Sequence, residues 1–306
     1  MINKMNKIVS LLRRVDCGNN KIYLKNKKIV CDACTREYIY QNGILNCLPK
    51  KLSSTQLIAI KTWGKDYSHI LKEKYIIFND VYGLKDVELI QKYSSNFNSK
   101  KFLELGCGKG RVSVMIAKKN ADVYCVDICI EALKASQKLF KQEHQRGVFI
   151  CADLENLPFK ENIFDIIFGG GSIEHIKDTH KAVSGFYRVT KPKGINIFTV
   201  PFTSLSTLSQ GIITGSIPDS KILGSFYYFI HFVLLRGKFA LYGYEKNFSQ
   251  VSLNNLFKNN KFKKITISLY DVTYTLKFIP SYFKKYILKL IKNKFFWPMV
   301  CVKVEK

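Results

Sequence analysis

The feature that most constrains the fold is a glycine-rich turn at residues 102–111, Phe-Leu-Glu-Leu-Gly-Cys-Gly-Lys-Gly-Arg, which begins in a short apolar segment. Apolar residues at helical spacing follow it, so the pattern predicts a buried strand, a tight turn and a helix. Gly106, Gly108 and Gly110 leave out side chains where the backbone turns sharply and a ligand could come close. Such a ligand would lie over the strand end, beside the helix N-terminus.

The spacing of these glycines differs from that of the dinucleotide-binding fingerprint. That fingerprint needs glycine at its first, third and sixth positions, and Arg111 stands at the sixth. The spacing therefore disfavours a pyrophosphate-binding turn without excluding it. The next predicted strand, residues 122–126, is followed by Asp127. A carboxylate at this place can accept hydrogen bonds from both hydroxyls of a ribose, so we expect a nucleoside to bind here.

Strand and helix patterns alternate through the middle of the chain. Apolar segments typical of buried strands lie at residues 101–105, 122–126, 148–151, 163–168 and 195–200, with helical patterns at residues 111–119, 130–140 and 180–189. This alternation predicts an α/β fold whose parallel sheet carries helices on both faces. Residues 191–194, Lys-Pro-Lys-Gly, predict a turn before the fifth strand.

Four segments in order resemble the motifs of class I S-adenosylmethionine-dependent methyltransferases of the type 11 kind. They are the glycine-rich turn, Asp127, residues 151–159 and residues 164–175, and residues 188–194 resemble the turn that comes next in the family. The resemblance implies a Rossmann-like, seven-stranded, mostly parallel sheet. It also implies a helix at residues 249–259 and two last strands at residues 263–269 and 298–304.

The resemblance further implies S-adenosylmethionine as the cofactor. Glu104 would bind the methionine amine and Asp127 the ribose, whereas Asp153 would bind the adenine amine with Leu154 against the ring. The backbone at residues 169–170 would contact the methionine part. The alternatives are an acid beside a helix N-terminus for Glu104, a solvated loop acid for Asp127 and a plain loop for the glycines. The residues implied in cofactor binding are Glu104, Gly106, Cys107, Gly108, Gly110, Asp127, Ile128, Asp153, Leu154, Gly169 and Gly170.

Little catalytic machinery is required, because the sulfonium already makes the methyl group electrophilic. The protein must align the acceptor with the S–CH₃ bond and exclude water. A general base is needed only where the acceptor must lose a proton. His175 is the candidate base, with Glu174 beside it. A structural role of this Glu-His pair in its loop is the alternative.

The first 52 residues resemble a small zinc ribbon of the Trm112-like type. Cys17, the knuckle Cys31-Asp-Ala-Cys34 and an aromatic strand carry the resemblance. Zinc would bind through Cys17, Cys31, Cys34 and a fourth group. Arg14 stands where the first knuckle should have another cysteine, and Cys47 is a spare thiol. A degenerate ribbon without metal is the other interpretation.

Three regions follow from these patterns: the β-rich ribbon-like module at residues 1–52, a helical lid or linker at 53–97, and a methyltransferase domain at 98–306 with an insert at 202–243. Trp63 and Tyr67 would fold over the cofactor or else pack in the core. The insert carries ten mostly apolar residues, 226–235, and residues 282–294 form a basic amphipathic helix candidate. The insert suits an apolar substrate pocket, a membrane surface or a buried helix core, and residues 282–294 suit membrane contact or simple packing.

The charge is basic at both ends of the chain, which carries +26 in total. Residues 1–60 hold 11 Lys or Arg against 3 Asp or Glu, and residues 201–306 hold 16 against 4. This balance suits an anionic partner, although a general bias toward lysine explains it equally well. Several cysteines (Cys125, Cys151 and Cys301) lie in apolar strand-like segments and the nine do not form a disulfide framework, and no signal peptide or spanning segment is recognised, so a cytoplasmic location is expected.

The leading hypothesis is methyl transfer to a small-molecule, glycan-linked or lipid-linked acceptor, with peripheral membrane contact. An RNA methyltransferase is the second hypothesis, since a zinc ribbon and basic ends would suit it, but no aromatic RNA-reading motif is found. A non-catalytic S-adenosylmethionine-binding scaffold is the third, because a fold alone does not establish activity. The sequence leaves the oligomeric state and the acceptor atom open.

Overall fold

The computed structural model describes residues 8–25, 28–74, 81–204, 216–218, 221–236, 244–271, 281–290 and 293–306, together with Asn6 and Ile76. The strands in this part of the chain are β1 (Ile22–Lys25), β2 (Lys28–Cys31), β3 (Glu37–Gln41), β4 (Ile44–Asn46), β5 (Lys101–Leu105), β6 (Asp122–Asp127), β7 (Val148–Cys151), β8 (Phe164–Gly170), β9 (Thr190–Pro201), β10 (Lys263–Asp271) and β11 (Met299–Glu305). The helices are α1 (Ser54–Lys72), α2 (Val81–Tyr93), α3 (Arg111–Ala117), α4 (Ile130–Gln142), α5 (Thr179–Val189), α6 (Lys221–Tyr228), α7 (Gln250–Asn259) and α8 (Ser281–Leu290).

One sheet runs through the molecule in the order β1-β2-β3-β4-β7-β6-β5-β8-β9-β11-β10. Strands β7, β6, β5, β8 and β9 are parallel to one another, and β11 is antiparallel to both β9 and β10. The predicted Rossmann-like α/β fold with a seven-stranded, mostly parallel sheet is therefore confirmed for β5 to β11. The order reverses at β5, which lies between β6 and β8, and a crevice opens at such a switch point in α/β sheets.

The central strands are buried because they carry apolar side chains on both faces. Every residue of β5 after Lys101 is buried, as expected for a parallel strand covered by helices on both sides. On one face, the Phe198 ring of β9 stacks between Phe186 of α5 and Phe257 of α7, with centroids 5.6 and 5.4 Å apart. This packing fixes the helices that follow β8 and precede β10 against the sheet.

Two boundaries differ from the prediction. Gly169 and Gly170 were expected in a loop but are the last residues of β8, where they pair with Phe198 and Thr199 of β9. Their strand extends further because β9 offers backbone partners along that edge. The turn predicted at residues 191–194 lies within β9, since Lys193 and Gly194 exchange backbone hydrogen bonds with Lys306.

The N-terminal strands extend the central sheet. Strand β4 pairs in parallel with β7, and Leu12 forms an isolated bridge with Phe159. Leu12 and Leu45 are fully buried in the same apolar cluster as the main domain. The seven predicted strands thus belong to a larger sheet, which the sequence did not indicate. The division into modules at residues 52 and 97 stays a prediction.

The insert contributes a helix whose outer side is apolar. Helix α6 continues as a π-helix over Phe229–Leu234, and Phe226, Phe229 and Leu234 are exposed. Buried packing, one of the alternatives for residues 226–235, does not describe these side chains. Within the described residues, no helix combines the length and apolarity needed to cross a bilayer.

Candidate functional site

A cavity of about 410 Å³ lies at the carboxyl ends of β5, β6 and β8. The turns after these strands form its floor, and the side chains of Trp63 and Tyr67 on helix α1 form part of its wall. Helix α1 begins with a capping box in which Ser53 and Gln56 bond each other's backbone N–H groups. The cap gives α1 a fixed start beside the cavity, where Gln56 is a lining residue.

Asp127 joins the two turns that form the floor. Its Oδ2 atom accepts a hydrogen bond from the Gly108 N–H, and its Oδ1 atom accepts one from the Cys129 N–H, both at 2.9 Å. Burial raises the pKa of Asp127 to about 6, and these backbone hydrogen bonds oppose the rise. Each carboxylate oxygen keeps further acceptor capacity, and Asp127 lines the cavity, so it is suited to accept from a pair of hydroxyls.

Glu104 is a buried acid at the end of β5 that lines the same cavity. Its Oε2 atom accepts a hydrogen bond from the Ser113 N–H at 3.0 Å, in the first turn of α3. Burial raises the pKa of the Glu104 carboxyl to about 7, although the Ser113 side chain and backbone lower it, and Asp86 adds a repulsive negative charge. A ligand cation would relieve both the desolvation and the repulsion, so this end of the cavity is suited to an amine.

The glycine-rich turn has the backbone shape that the sequence predicts. Gly110 adopts φ +74° directly before α3, and Gly108 adopts φ +51°. A Cβ atom at Gly108 would clash with the Tyr67 hydroxyl, and one at Gly110 with the Ser136 hydroxyl. The absent side chains therefore let α1 and α4 approach the turn.

Asp153 and Leu154 lie at a second corner of the cavity, after β7. Asp153 caps the short 3₁₀ helix Leu154–Asn156, because its Oδ1 atom accepts from the Glu155 N–H at 3.0 Å. Its Oδ2 atom accepts from the Asn156 side-chain amide at 2.6 Å. The carboxylate is held in one orientation by these bonds, and the Leu154 side chain presents an apolar surface beside it.

His175 lines the cavity from the short 3₁₀ helix Ile173–His175, which follows β8. Its Nδ1 atom is 2.9 Å from the Tyr244 carbonyl oxygen. A carbonyl only accepts, so Nδ1 carries the proton of a neutral ring and Nε2 keeps its lone pair. The Trp63 ring meets the imidazole edge-on at 5.8 Å between ring centres, which places helix α1 against this side chain.

The structure brings most of the predicted cofactor residues together. Nine of the eleven line the cavity, whereas Gly110 and Gly169 do not. Gly110 lies behind the turn against α4, and Gly169 is buried between Ser172 and Phe198. Their predicted contacts with the cofactor have no direct support from this geometry, and the roles of the other nine stay predictions.

Asp86 is a cavity residue that sequence reasoning missed. It lies on α2, is 8% exposed, and its Oδ1 atom accepts a hydrogen bond from the Tyr270 hydroxyl at 2.6 Å. Together with Glu104 it makes one end of the cavity acidic. A single acid on an otherwise ordinary helix gives no motif, and its partner Tyr270 is 184 positions away, so only the fold reveals it.

Three cysteines of the N-terminal module form a thiol cluster. The Cys17 sulfur is 3.6 Å from that of Cys31 and 3.7 Å from that of Cys34. A backbone hydrogen bond from Arg36 lowers the pKa of Cys34 to about 7, which favours the thiolate. Arg14 is fully buried, is 4.2 Å from the Tyr38 ring centre and pairs with the Asp16 carboxylate, and its proximity also lowers the pKa of Cys34.

This cluster fits the donor set of a thiolate-bound metal in part. The three sulfurs lie within 4.8 Å of one another, as soft metal ions require. Arg14 occupies the position of the missing cysteine in sequence, and a guanidinium cannot act as a ligand. Cys47 is buried elsewhere, among the side chains of the apolar core, and is not part of the cluster.

The comparisons with known proteins agree with this geometry. Residues 103–198 match the family described as "Methyltransferase domain". The chain is 36% identical over 103 residues to the biotin biosynthesis bifunctional protein BioHC of Saccharophagus degradans, covering 33% of this chain and 18% of that protein. It is 28% identical over 119 residues to the malonyl-[acyl-carrier protein] O-methyltransferase of Salmonella typhimurium, covering 39% and 41% of the two chains. The chain thus spans less than half the length of either relative.

A solved structure shares the fold over a longer stretch. It is the phosphoethanolamine N-methyltransferase 2 of Haemonchus contortus in complex with S-adenosyl-L-methionine, with a TM-score of 0.53 and 17% identity. The alignment covers 84% of this chain and 61% of that chain. The likeness supports the sheet order and the helices around it.

The raised pKa of Glu104 leads to a prediction about stability. The ordinary pKa of 4.5 rises to about 7 in the ligand-free protein, so the folded state holds this proton more tightly than the unfolded chain. The free energy of unfolding should therefore fall as the pH rises from about 4.5 to about 7, by on the order of 2–3 kcal/mol from this group. We expect Glu104→Gln to remove that part of the fall. Urea unfolding at several pH values measures it.

The control for this experiment is Glu88→Gln, which changes an exposed carboxyl on α2. Its stability should follow that of the wild-type protein at every pH. A Glu104→Gln variant that loses as much stability as the wild-type protein over this pH range would contradict the prediction.

Proposed function

We propose that this protein, whose residues 103–198 match a methyltransferase domain family, transfers a methyl group from S-adenosylmethionine to an acceptor bound over the carboxyl edge of its sheet. The observation that carries the proposal is the Asp127 carboxylate. It is held by the backbone of Gly108 and Cys129 and lines a cavity of about 410 Å³. Such a carboxylate has the position and the free acceptor sites that a ribose needs.

With the ribose bound at Asp127, the positions of the other parts of the cofactor would follow. The methionine amine would lie toward Glu104, where a cation relieves the cost of a buried acid, and Asp86 adds a second negative charge. The adenine would lie toward Asp153 and Leu154, whose orientation the short helix fixes. The acidic and apolar ends of the cavity thus match the charged and aromatic ends of the cofactor.

The chain's own residues would then position the acceptor. Trp63 and Tyr67 of α1 would cover the cofactor and exclude water from the methyl group. Alignment of two reactants in such a site supplies about 7–11 kcal/mol toward the barrier. His175 would take the acceptor's proton at Nε2, since the Tyr244 carbonyl holds the proton on Nδ1.

The proposed acceptor is a small molecule, or a glycan- or lipid-linked one. The relative from Salmonella typhimurium is named for a malonyl group on an acyl carrier, so a small acceptor on a larger carrier has a parallel among similar proteins. We place the protein in the cytoplasm, because its nine cysteines are all free, and in peripheral contact with a membrane that holds the acceptor.

Cofactor binding tests the proposal most directly. Asp127→Ala removes the carboxylate that would accept from the ribose, and hydrogen bonds to a charged group contribute about 1.5–3 kcal/mol. We therefore expect the dissociation constant for S-adenosylmethionine, measured by calorimetry, to rise about 10- to 100-fold. Asp122→Ala is the matched control, because Asp122 is the exposed acid at the other end of the same strand. If the wild-type protein binds neither S-adenosylmethionine nor S-adenosylhomocysteine, the proposal is wrong.

The role of His175 is tested by the rate of transfer. With a radioactive methyl donor and a fractionated cell extract as the source of acceptor, His175→Ala should transfer label about 10²- to 10⁴-fold more slowly. Its dissociation constant for the cofactor should stay within about threefold of the wild-type value, which is under about 1 kcal/mol. His180→Ala, at an exposed position on α5, should transfer at the wild-type rate. An unchanged rate for His175→Ala would leave this residue a structural role only.

We also propose that the thiol cluster of Cys17, Cys31 and Cys34 binds a structural zinc ion. Its sulfur atoms are close enough to share one ion, and a fourth group would complete the tetrahedron that zinc prefers. Three thiolates and Zn²⁺ carry one net negative charge, which would be balanced by Arg14 and Arg36, because these two arginines share the single carboxylate of Asp16. Bound zinc would hold the N-terminal residues against β2 and β3, which the same cysteines flank.

Metal analysis of the purified protein tests the zinc proposal. We expect about one zinc per chain in the wild-type protein, little in Cys34→Ser, and the wild-type amount in Cys47→Ser, which removes a buried thiol outside the cluster. Cobalt substitution should give sulfur-to-cobalt charge-transfer absorption that Cys34→Ser loses. Zinc that stays bound in Cys34→Ser, or protein that takes up no zinc when supplied with it, would contradict the proposal.

A further inference from the structure

Exposed apolar side chains concentrate on two helical segments. The described part of the chain exposes 20 large apolar side chains, and 12 of them lie on residues 221–236 and on α8. Single exposed apolar residues are ordinary on a protein surface, but a concentration of this kind marks a site of contact. The exposed apolar residues of these segments are Ile222, Phe226, Tyr228, Phe229, Val233, Leu234, Leu235, Tyr282, Phe283, Tyr286, Leu288 and Leu290.

The first segment turns its apolar side outward. Phe226, Phe229 and Val233 follow one another at the spacing of one helix face, and each is at least half exposed. Among the residues of this segment whose burial the structure describes, Gly224 and His231 are the buried ones, and the Nδ1 atom of His231 has no hydrogen-bond partner. A helix that covers a core shows the opposite arrangement. The outward side of this segment is therefore suited to contact with an apolar surface.

The second segment combines aromatic rings with lysines. On α8, every side chain that the structure describes is exposed. The ammonium group of Lys285 is 5.5 Å from the ring centre of Tyr282 and 5.0 Å from that of Tyr286. Residues 221–236 and 281–290 together contain five lysines or arginines and no aspartate or glutamate. Aromatic and aliphatic side chains next to cations of one sign are the composition of helices that lie in a membrane interface.

Both segments are attached at the edge of the sheet where the cavity opens. The insert that contains α6 begins after Pro201, the last residue of β9. Helix α8 lies between the end of β10 and the start of β11. Met299, the first residue of β11, pairs with both Pro201 and Asp271, so these three chain positions meet at the carboxyl edge of the sheet. The cavity lies at the carboxyl edge of the same sheet.

We propose that residues 221–236 and α8 dock the protein on the surface of a membrane that contains anionic phospholipids. The phenylalanine, isoleucine, valine and leucine side chains would enter the boundary between headgroups and acyl chains, and the lysines would meet the phosphates. The inference rests on the proposed function in one respect, since it names where a lipid-linked acceptor would be met. Vesicle binding itself does not require methyl transfer.

Other occupants fit these segments less well. A nucleic acid would pair with the lysines but would leave Phe226, Phe229 and Val233 in water. A second copy of this chain would bring two lysine-bearing segments of like charge together. A lipid surface satisfies both the apolar side chains and the cations.

Sedimentation with lipid vesicles tests the proposal on the full chain. We expect binding to phosphatidylcholine vesicles that contain phosphatidylglycerol, weaker binding to phosphatidylcholine alone, and loss of binding as salt is added. Two variants, Phe226→Ser with Phe229→Ser and Tyr282→Ser with Phe283→Ser, should each weaken binding by about 10-fold or more, because each removes two inserted rings. Val251→Ser, which changes an exposed apolar residue on α7, should bind like the wild-type protein.

Two further measurements separate this inference from its alternatives. Binding of S-adenosylhomocysteine by calorimetry should be the same in the wild-type protein and all variants, which shows that they are folded and leaves the proposed function unaffected. A wild-type protein that binds the cofactor but not the vesicles would overturn the docking proposal alone. Serine variants that bind vesicles like the wild-type protein would also overturn it. So would light scattering that shows a dimer for the wild-type protein and monomers for the serine variants.

Discussion

The Asp127 carboxylate is the interaction on which the site depends. Its two oxygens bind the backbone of two turns that belong to different strands, one after β5 and one after β6. The carboxylate satisfies a backbone N–H group that each turn leaves at a buried edge, in addition to the backbone hydrogen bond from the Cys107 N–H to the Val126 carbonyl. Burial of this acid is unfavourable and raises its pKa. The same buried carboxylate gives the cavity acceptor atoms that are already in place for a ligand.

The order of elements and the cavity floor could be predicted from the sequence, because both depend on local patterns. The first two apolar segments, the glycine spacing and Asp127 lie within 26 positions of one another, and the strands that they predict occur where expected. The long-range contacts could not be predicted. Nothing near His175 in the chain indicates that Tyr244 holds its ring, and nothing near Asp86 indicates Tyr270. These contacts depend on how the last strands pack, which spacing alone does not encode.

Gly169 and Gly170 also show a limit of prediction from the sequence. Residues 169–170 resemble a loop because glycine pairs usually end strands, but here the neighbouring strand supplies partners for both. Gly169 is small because the Phe198 ring and Ser172 fill the space beside it. Tertiary packing requires glycine at this position. The sequence alone does not distinguish a glycine that packing requires from one that a turn requires.

The pairing of β4 with β7 has a consequence for any shortened form of the chain. In Rossmann-like sheets the outer strands carry unpaired backbone groups, and here three residues of β4 cover those of β7. A chain that started after residue 52 would lack β4 and would leave this edge of β7 exposed. The backbone donors and acceptors of Phe149, Ile150 and Cys151 on that edge would then be unpaired. Exposed edge strands of this kind can pair with strands from other molecules. The pairing of β4 with β7 therefore closes an edge of the sheet that a shortened chain would expose.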